Sequence, residues 1–210
     1  ADIVASTMNM FSRQGITAAQ VANIFAKAAN SSGANVEQLA KSLENCGPSA
    51  AQLNIPFSQV VATLSLMGDN AIKGGKAGTA LKNLFQRMSS PTKESATAIE
   101  KFGLETARAK IVSGDLKGGL LEMQKQMDRN KYSSDELATG AKQLAGSWGQ
   151  QGLTAVLNTA ADELMVTFDA MEKGLVSTND LENGMKKLMG TVQGQVMRFS
   201  ANVQLAFYNL

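Results

Sequence analysis

Residues 77–103 read AGTALKNLFQRMSSPTKESATAIEKFG. This stretch is two amphipathic helices on either side of a Ser90-Pro91 break, because Pro biases the residue before it away from helical backbone. Nothing in it is placed for catalysis.

The same grammar extends outward in both directions. Ile16-Thr17-Ala18-Ala19-Gln20-Val21 has a capping residue, a Gln three positions on and apolar flanks, which is a capping box with a hydrophobic staple. Asn35-Val36-Glu37-Gln38-Leu39 repeats the cap and its Gln, and Tyr132-Ser133-Ser134-Asp135-Glu136-Leu137 repeats the whole device. Val176-Ser177-Thr178-Asn179-Asp180-Leu181 does so with Asp in the third position. Ile55-Pro56-Phe57-Ser58-Gln59-Val60 keeps the spacing with Pro where the cap should stand. The intervals are uneven, so these starts share a local grammar and do not form a solenoid repeat.

The fold class that follows is all-α, a set of short helices. Helices are predicted at 2–14, 18–31, 36–46, 57–72, 76–88, 92–102, 119–129, 134–147, 151–171 and 178–208. Residues 109–117, AKIVSGDLK, fit either a small β-hairpin around Ser113-Gly114-Asp115 or an irregular loop. Residues 1–175 are expected to form one helical module and 176–210 a long amphipathic helix running on into a longer parent chain. In that helix Leu181, Met185, Leu188, Val192, Val196, Phe199, Val203 and Phe207 make one apolar stripe. The stripe packs either on its own domain or on identical copies.

Composition narrows the function. The 210 residues carry 20 basic and 18 acidic side chains, a net charge of +2, and no histidine. Without histidine there are no His-dependent triads, His metal sites or the usual proton shuttle. The charges are evenly spread, so no concentrated nucleic-acid face stands out. Aromatics are only 5%, so an aliphatic core is expected. Cys46 is the single cysteine, which excludes an intrachain disulfide.

Several motifs invite a sharper reading. Lys73-Gly74-Gly75-Lys76-Ala77-Gly78-Thr79 resembles a phosphate loop, but Ala follows Gly-Lys and a helix precedes it, so a glycine turn between helices is expected. Cys46-Gly47-Pro48 should end a helix, leaving Cys46 a buried structural thiol. Asp135-Glu136 and Asp162-Glu163 are helix neighbours that do not face each other, so neither is an acid/base pair. Trp148, between Ser147 and Gly149, is expected to cover a tight helix-to-helix passage or to pack on a partner. Met123 with Met127, and Met185 with Met189, sit one turn apart and read as core filling or an adaptable partner surface.

Read together, Ala28-Ala29-Asn30-Ser31-Ser32, Val36-Glu37-Gln38-Leu39-Ala40, Gly47-Pro48-Ser49-Ala50-Ala51, Gly78-Thr79-Ala80-Leu81 and Ser90-Pro91-Thr92-Lys93-Glu94 resemble the core region of phage tail tape-measure proteins. The likeness spans roughly 15–158 and weakens toward Thr191-Val192-Gln193-Gly194-Gln195. Pro56 and residues 105–118 depart from the family's pattern. The resemblance implies a structural protein of the virion tail lumen, made in the host cytoplasm, that sets tail length during tube assembly and is released ahead of DNA. It implies the tail tube protein, tail tip or baseplate proteins and tail assembly chaperones as partners, with self-association and contact with the host membrane on ejection. No enzymatic activity, catalytic residue, cofactor, metal or sequence-specific nucleic-acid binding is expected of this segment. The alternatives are a membrane-active module aiding DNA passage and a non-catalytic part of a tail protein that bears a cell-wall hydrolase. The repeated caps and 19 glycines further imply that these residues fold back on themselves instead of forming an extended ruler.

Overall fold

Three helices start where a side chain and a backbone amide can satisfy each other locally. Thr17, Asn35 and Ser133 each accept the N–H of the residue three positions on, and the side chains of Gln20, Gln38 and Glu136 return the bond to the cap amide. Each such cap stabilises its helix by about 1 kcal/mol. A computed structural model describes residues 2–128 and 131–175. Its elements are α1 (Asp2–Met10), a 3-10 turn (Ser12–Gln14), α2 (Ala18–Ser31), α3 (Val36–Gln52), α4 (Phe57–Asp69), α5 (Gly75–Ser89), α6 (Lys93–Lys101), α7 (Glu105–Val112), α8 (Leu116–Gln126), α9 (Ser134–Asn158) and α10 (Ala161–Gly174). The all-α reading holds, and no strand occurs among the described residues.

α4 is the axis. Every residue from Phe57 to Gly68 except Gln59 is buried, the pattern of a helix enclosed on all sides. Its hydroxyls bond back to its own backbone, Thr63 to the Gln59 carbonyl and Ser65 to that of Val61. α2, α3, α5, α9 and α10 pack around it. Phe57 gathers Phe11 and Phe25, with ring centroids 5.4 and 5.6 Å away. The core is aliphatic as expected, with six buried phenylalanines added: Phe11, Phe25, Phe57, Phe85, Phe102 and Phe168.

α4 lacks a side-chain cap because Pro56 occupies the position. Gln14 substitutes for it from 43 residues upstream. Its Oε1 accepts the Phe57 N–H at 2.9 Å, and its Nε2 donates to the Ile55 carbonyl at 2.8 Å.

Four expectations are corrected. Residues 109–117 form neither a hairpin nor an irregular loop. Ala107 and Ile111 are buried four apart while Val112 is exposed, which is helical periodicity. Gly114, at φ +96, closes α7, and the Asp115 carboxylate accepts the Gly118 N–H at 2.8 Å to start α8 three residues earlier than predicted. α3 does not stop at Cys46 but runs through Pro48 to Gln52. Pro48 and Glu44 are both exposed, so Pro48 interrupts the outer face of α3, while Cys46, Gly47 and Ala50 are buried. The predicted break between 147 and 151 is instead a kink inside α9, at Gly146. The true break lies at 159–160, where Gln124 of α8 donates to the Thr159 carbonyl at 2.8 Å and that of Val156 at 3.1 Å. The predicted helix at 178–208 lies outside the described residues.

Candidate functional site

The opening stretch owes its importance to α5, which is wedged between α3 and α9. Close approach demands small residues on both sides. A Cβ on Gly78 would overlap the Ser42 carbonyl oxygen and stand 2.9 Å from the Asn45 Cβ. On the other side Ala80 meets α9, where a Cβ on Gly149 or Gly152 would come within 3.0 and 2.8 Å of it. Of the glycines of 73–79 only Gly74 stands in the turn between helices; Gly75 and Gly78 lie inside α5, which corrects the expected glycine turn. The Gly74 carbonyl accepts the Ser42 hydroxyl at 2.8 Å, and that of Gly75 accepts the Asn45 amide at 3.1 Å. These bonds tie the turn to α3 and leave no strand-to-helix phosphate cradle.

α5 also builds the kink of α9. Gly146 has φ 76 and ψ 168, a region open essentially to glycine alone. The break frees backbone carbonyls, and α5 side chains take them. Asn83 Nδ2 donates to Ala145 at 3.0 Å, and Arg87 Nη1 to Gln143 at 2.6 Å and Lys142 at 3.3 Å. Arg108 of α7 does the same for the end of α5, donating through Nε to the Met88 carbonyl at 2.7 Å. Beside the kink lies a depression of about 340 Å³ lined by Arg87, Glu94, Thr139, Lys142, Gln143, Gly146 and Ser147.

Trp148 stands at the rim of this arrangement and is 83% exposed. The reading that it covers the helix passage is therefore overturned. The kink turns the indole outward, and Asn83 and Arg87 cover the freed backbone. Gly146 faces Asn83 and Arg87, and Gly149 faces Ala80, so Trp148 lies level with the Ala80–Asn83 turn of α5.

The remaining candidates resolve into structure. Cys46 is buried, and burial pushes its thiol up to about 12, so it is neither nucleophile nor exposed redox group. Glu136 is a cap residue held down to about 2 by the Lys101 ammonium and by the Ser133 amide and hydroxyl. Its neighbour Asp135 is exposed and plays no part in that network. Asp162 and Glu163 are exposed in the first turn of α10, where the helix dipole favours carboxylates. Met123 and Met127 fill the core. Among the described residues no group of acidic and Cys side chains is placed to hold a metal, and no helix is long and apolar enough to cross a membrane. The predicted stripe, Leu181 to Phe207, lies outside the described residues.

The model of the phage-related minor tail protein family matches residues 1–146, well over half of the 210. The chain belongs to this family. It is similar to the tape measure protein of Pneumococcus phage Dp-1, 24% identical over 193 residues that cover 90% of this chain and 16% of that protein. It is also similar to the probable tape measure protein of Escherichia phage P2, 24% identical over 177 residues that cover 82% of this chain and 21% of that protein. The tape-measure likeness read from the sequence is thereby shown, and the chain is a structural phage tail protein. The chain spans a sixth to a fifth of these relatives' length. No solved structure matches it.

What the sequence missed in this tail protein are the long-range clamps: Gln14, Asn83, Arg87, Arg108 and Gln124. Each is a long polar side chain bonded to the backbone of another element, and no local pattern marks such a role.

Proposed function

We propose that these residues are a folded helical module of a phage tail tape-measure protein, which sets tail length during tube assembly and is released from the tail lumen ahead of DNA. The observation that carries the reading is the alignment of 82–90% of this chain with two tape-measure relatives. The fold supports a module and not a ruler segment. A single helix of 210 residues would reach roughly 315 Å, whereas the described helices wrap one another around α4. Length is then set by other parts of a longer protein, since the relatives are about five to six times the span matched here. The apolar residues Leu181, Met185, Leu188, Val192, Val196, Phe199, Val203 and Phe207, outside the described residues, are proposed to pack on copies or partners. The tail tube protein, tail tip proteins and assembly chaperones are the partners this role requires, and the segment works by packing without catalysis.

An antibody against this segment, applied to purified tails before and after triggered DNA release, tests the role. Signal present before and lost after is the expected result. Absence from mature particles would reject it, and retention after release would make the chain a fixed tip component.

A further inference from the structure

Among the described residues the large apolar side chains most open to solvent are Trp148 and Val166, 83% and 67% exposed, followed by Met165. They stand on surfaces of opposite charge. α5, level with Trp148, carries Lys76, Lys82 and Arg87 and no carboxylate, and Lys142 adds a further exposed cation on α9. α10, which bears Met165 and Val166, carries Asp162, Glu163, Asp169 and Glu172 against Lys173 alone. The two surfaces lie apart on the molecule. α5 packs on α3 and α9, whereas α10 packs on α2, α4 and α8.

We propose that the Trp148 face of one copy docks on the Met165–Val166 face of a second copy, head to tail. Each face suits the other better than itself. Trp148 stands beside a depression lined by Arg87 and Lys142 with Glu94 as its one carboxylate. It meets an aliphatic pair on a helix that carries Asp162, Glu163 and Glu172, where Asp169 is paired with Lys117. Opposite charges steer and orient such an encounter, and a central Trp is the commonest kind of energetic anchor. Met165 supplies an adaptable surface for the indole. A contact between two different faces is heterologous, so copies close into a ring or continue as a filament according to the rotation between them. Nucleic acid is a poorer occupant, because single strands are held by successive stacked aromatics and this face offers one. A bilayer surface is poorer as well, because an interfacial helix presents a continuous apolar face. The proposal does not depend on the tape-measure role.

Sedimentation velocity of the 210-residue chain across the micromolar range tests it, with Trp148→Ser and Val166→Lys as variants. Both positions are exposed, and circular-dichroism melting confirms that each variant folds. Each variant alone is expected to associate about thirtyfold more weakly, the loss of one interface anchor. An equimolar mixture should regain association but stop at a one-to-one dimer, since each pair keeps one working face of each kind. A wild type that stays monomeric, variants that associate like wild type, or a mixture that stays monomeric would each overturn the proposal. Association abolished by Val196→Glu yet untouched by Trp148→Ser would assign the contact to the C-terminal stripe and overturn it equally.

Discussion

Replacing Gly78 by Ala should destabilise the fold sharply, although glycine-to-alanine exchange within a helix ordinarily stabilises it by about 0.5–1 kcal/mol. The reason is the α3–α5 contact. The new methyl would overlap the Ser42 carbonyl oxygen and stand 2.9 Å from both the Ser42 carbon and the Asn45 Cβ. Ordinary contact begins at 3.4 Å, and the overlap with the Ser42 oxygen is deeper than the other two, so the helices must part by about an ångström. Backbone cannot yield as a flexible side chain would. Parting the helices strains the bonds from Ser42 to Gly74 and from Asn45 to Gly75, each contributing about 1 kcal/mol. Overpacking adds about 1–3 kcal/mol. Against the propensity gain, the net loss is about 2–4 kcal/mol, or a melting temperature lower by roughly 4–16 °C for a chain of this size. Gly75→Ala is the internal control. It lies in the same helix, and its added Cβ meets only Asn45 Nδ2, at 3.5 Å. It should leave the melting temperature equal or slightly higher. Thermal melts followed at 222 nm compare the three chains. A Gly78→Ala chain that melts at or above the wild-type temperature would refute the close-approach argument.

Four further outcomes are expected. Gly146→Ala should cost more than 1 kcal/mol, because φ 76 with ψ 168 is closed to a side chain, and Arg87→Met should shift Trp148 emission by releasing the kink; unchanged melting and emission in both would remove the clamp. Cys46 should resist thiol reagents at pH 8 in the native protein and react only as fast as the chain unfolds, since its thiol is held near 12 and only the thiolate attacks; rapid labelling of folded protein would contradict this. Glu136 has a depressed native pKa, so the stability it contributes is present above pH 4.5 and lost as pH falls toward about 2; Glu136→Gln should flatten the acid limb of stability against pH, and an unaltered slope would count against its role. Gln14→Ala should cost about 1–3 kcal/mol in urea unfolding through two lost backbone bonds, whereas Gln52→Ala, an exposed side chain nearby, should be neutral; equal effects would deny Gln14 its capping role.

The sequence by itself determined where α2, α3 and α9 begin. A capping box joins residues three apart, so Thr17, Asn35 and Ser133 could be read without knowing what lies across the molecule. The helical period likewise marked the stretches on either side of Ser90-Pro91 as amphipathic helices, which are α5 and α6. The apolar run of α4 is a different case, since burial on all sides erases the period. The candidate surface was only half legible: the Gly-rich passage around Trp148 was visible, but the direction of the indole was not.

Where helices end, and what stands exposed, was decided by tertiary structure. Pro48 looks like a stop, yet α3 continues because Pro48 stands on its exposed face and Ala50 beyond it is buried. At the end of α9 the Thr159 hydroxyl donates back to the Ala155 carbonyl, and Gln124 reaches over from α8 to those of Val156 and Thr159. Gly146 permits a kink, but Asn83 and Arg87 of another helix make it stable. The starts of α2, α3 and α9 rest on bonds between near neighbours, which a sequence displays, whereas the start of α4 rests on Gln14 from 43 residues upstream. Helix ends, kinks and the exposure of Trp148 rest on partners up to 62 residues away, which only the assembled fold brings within reach.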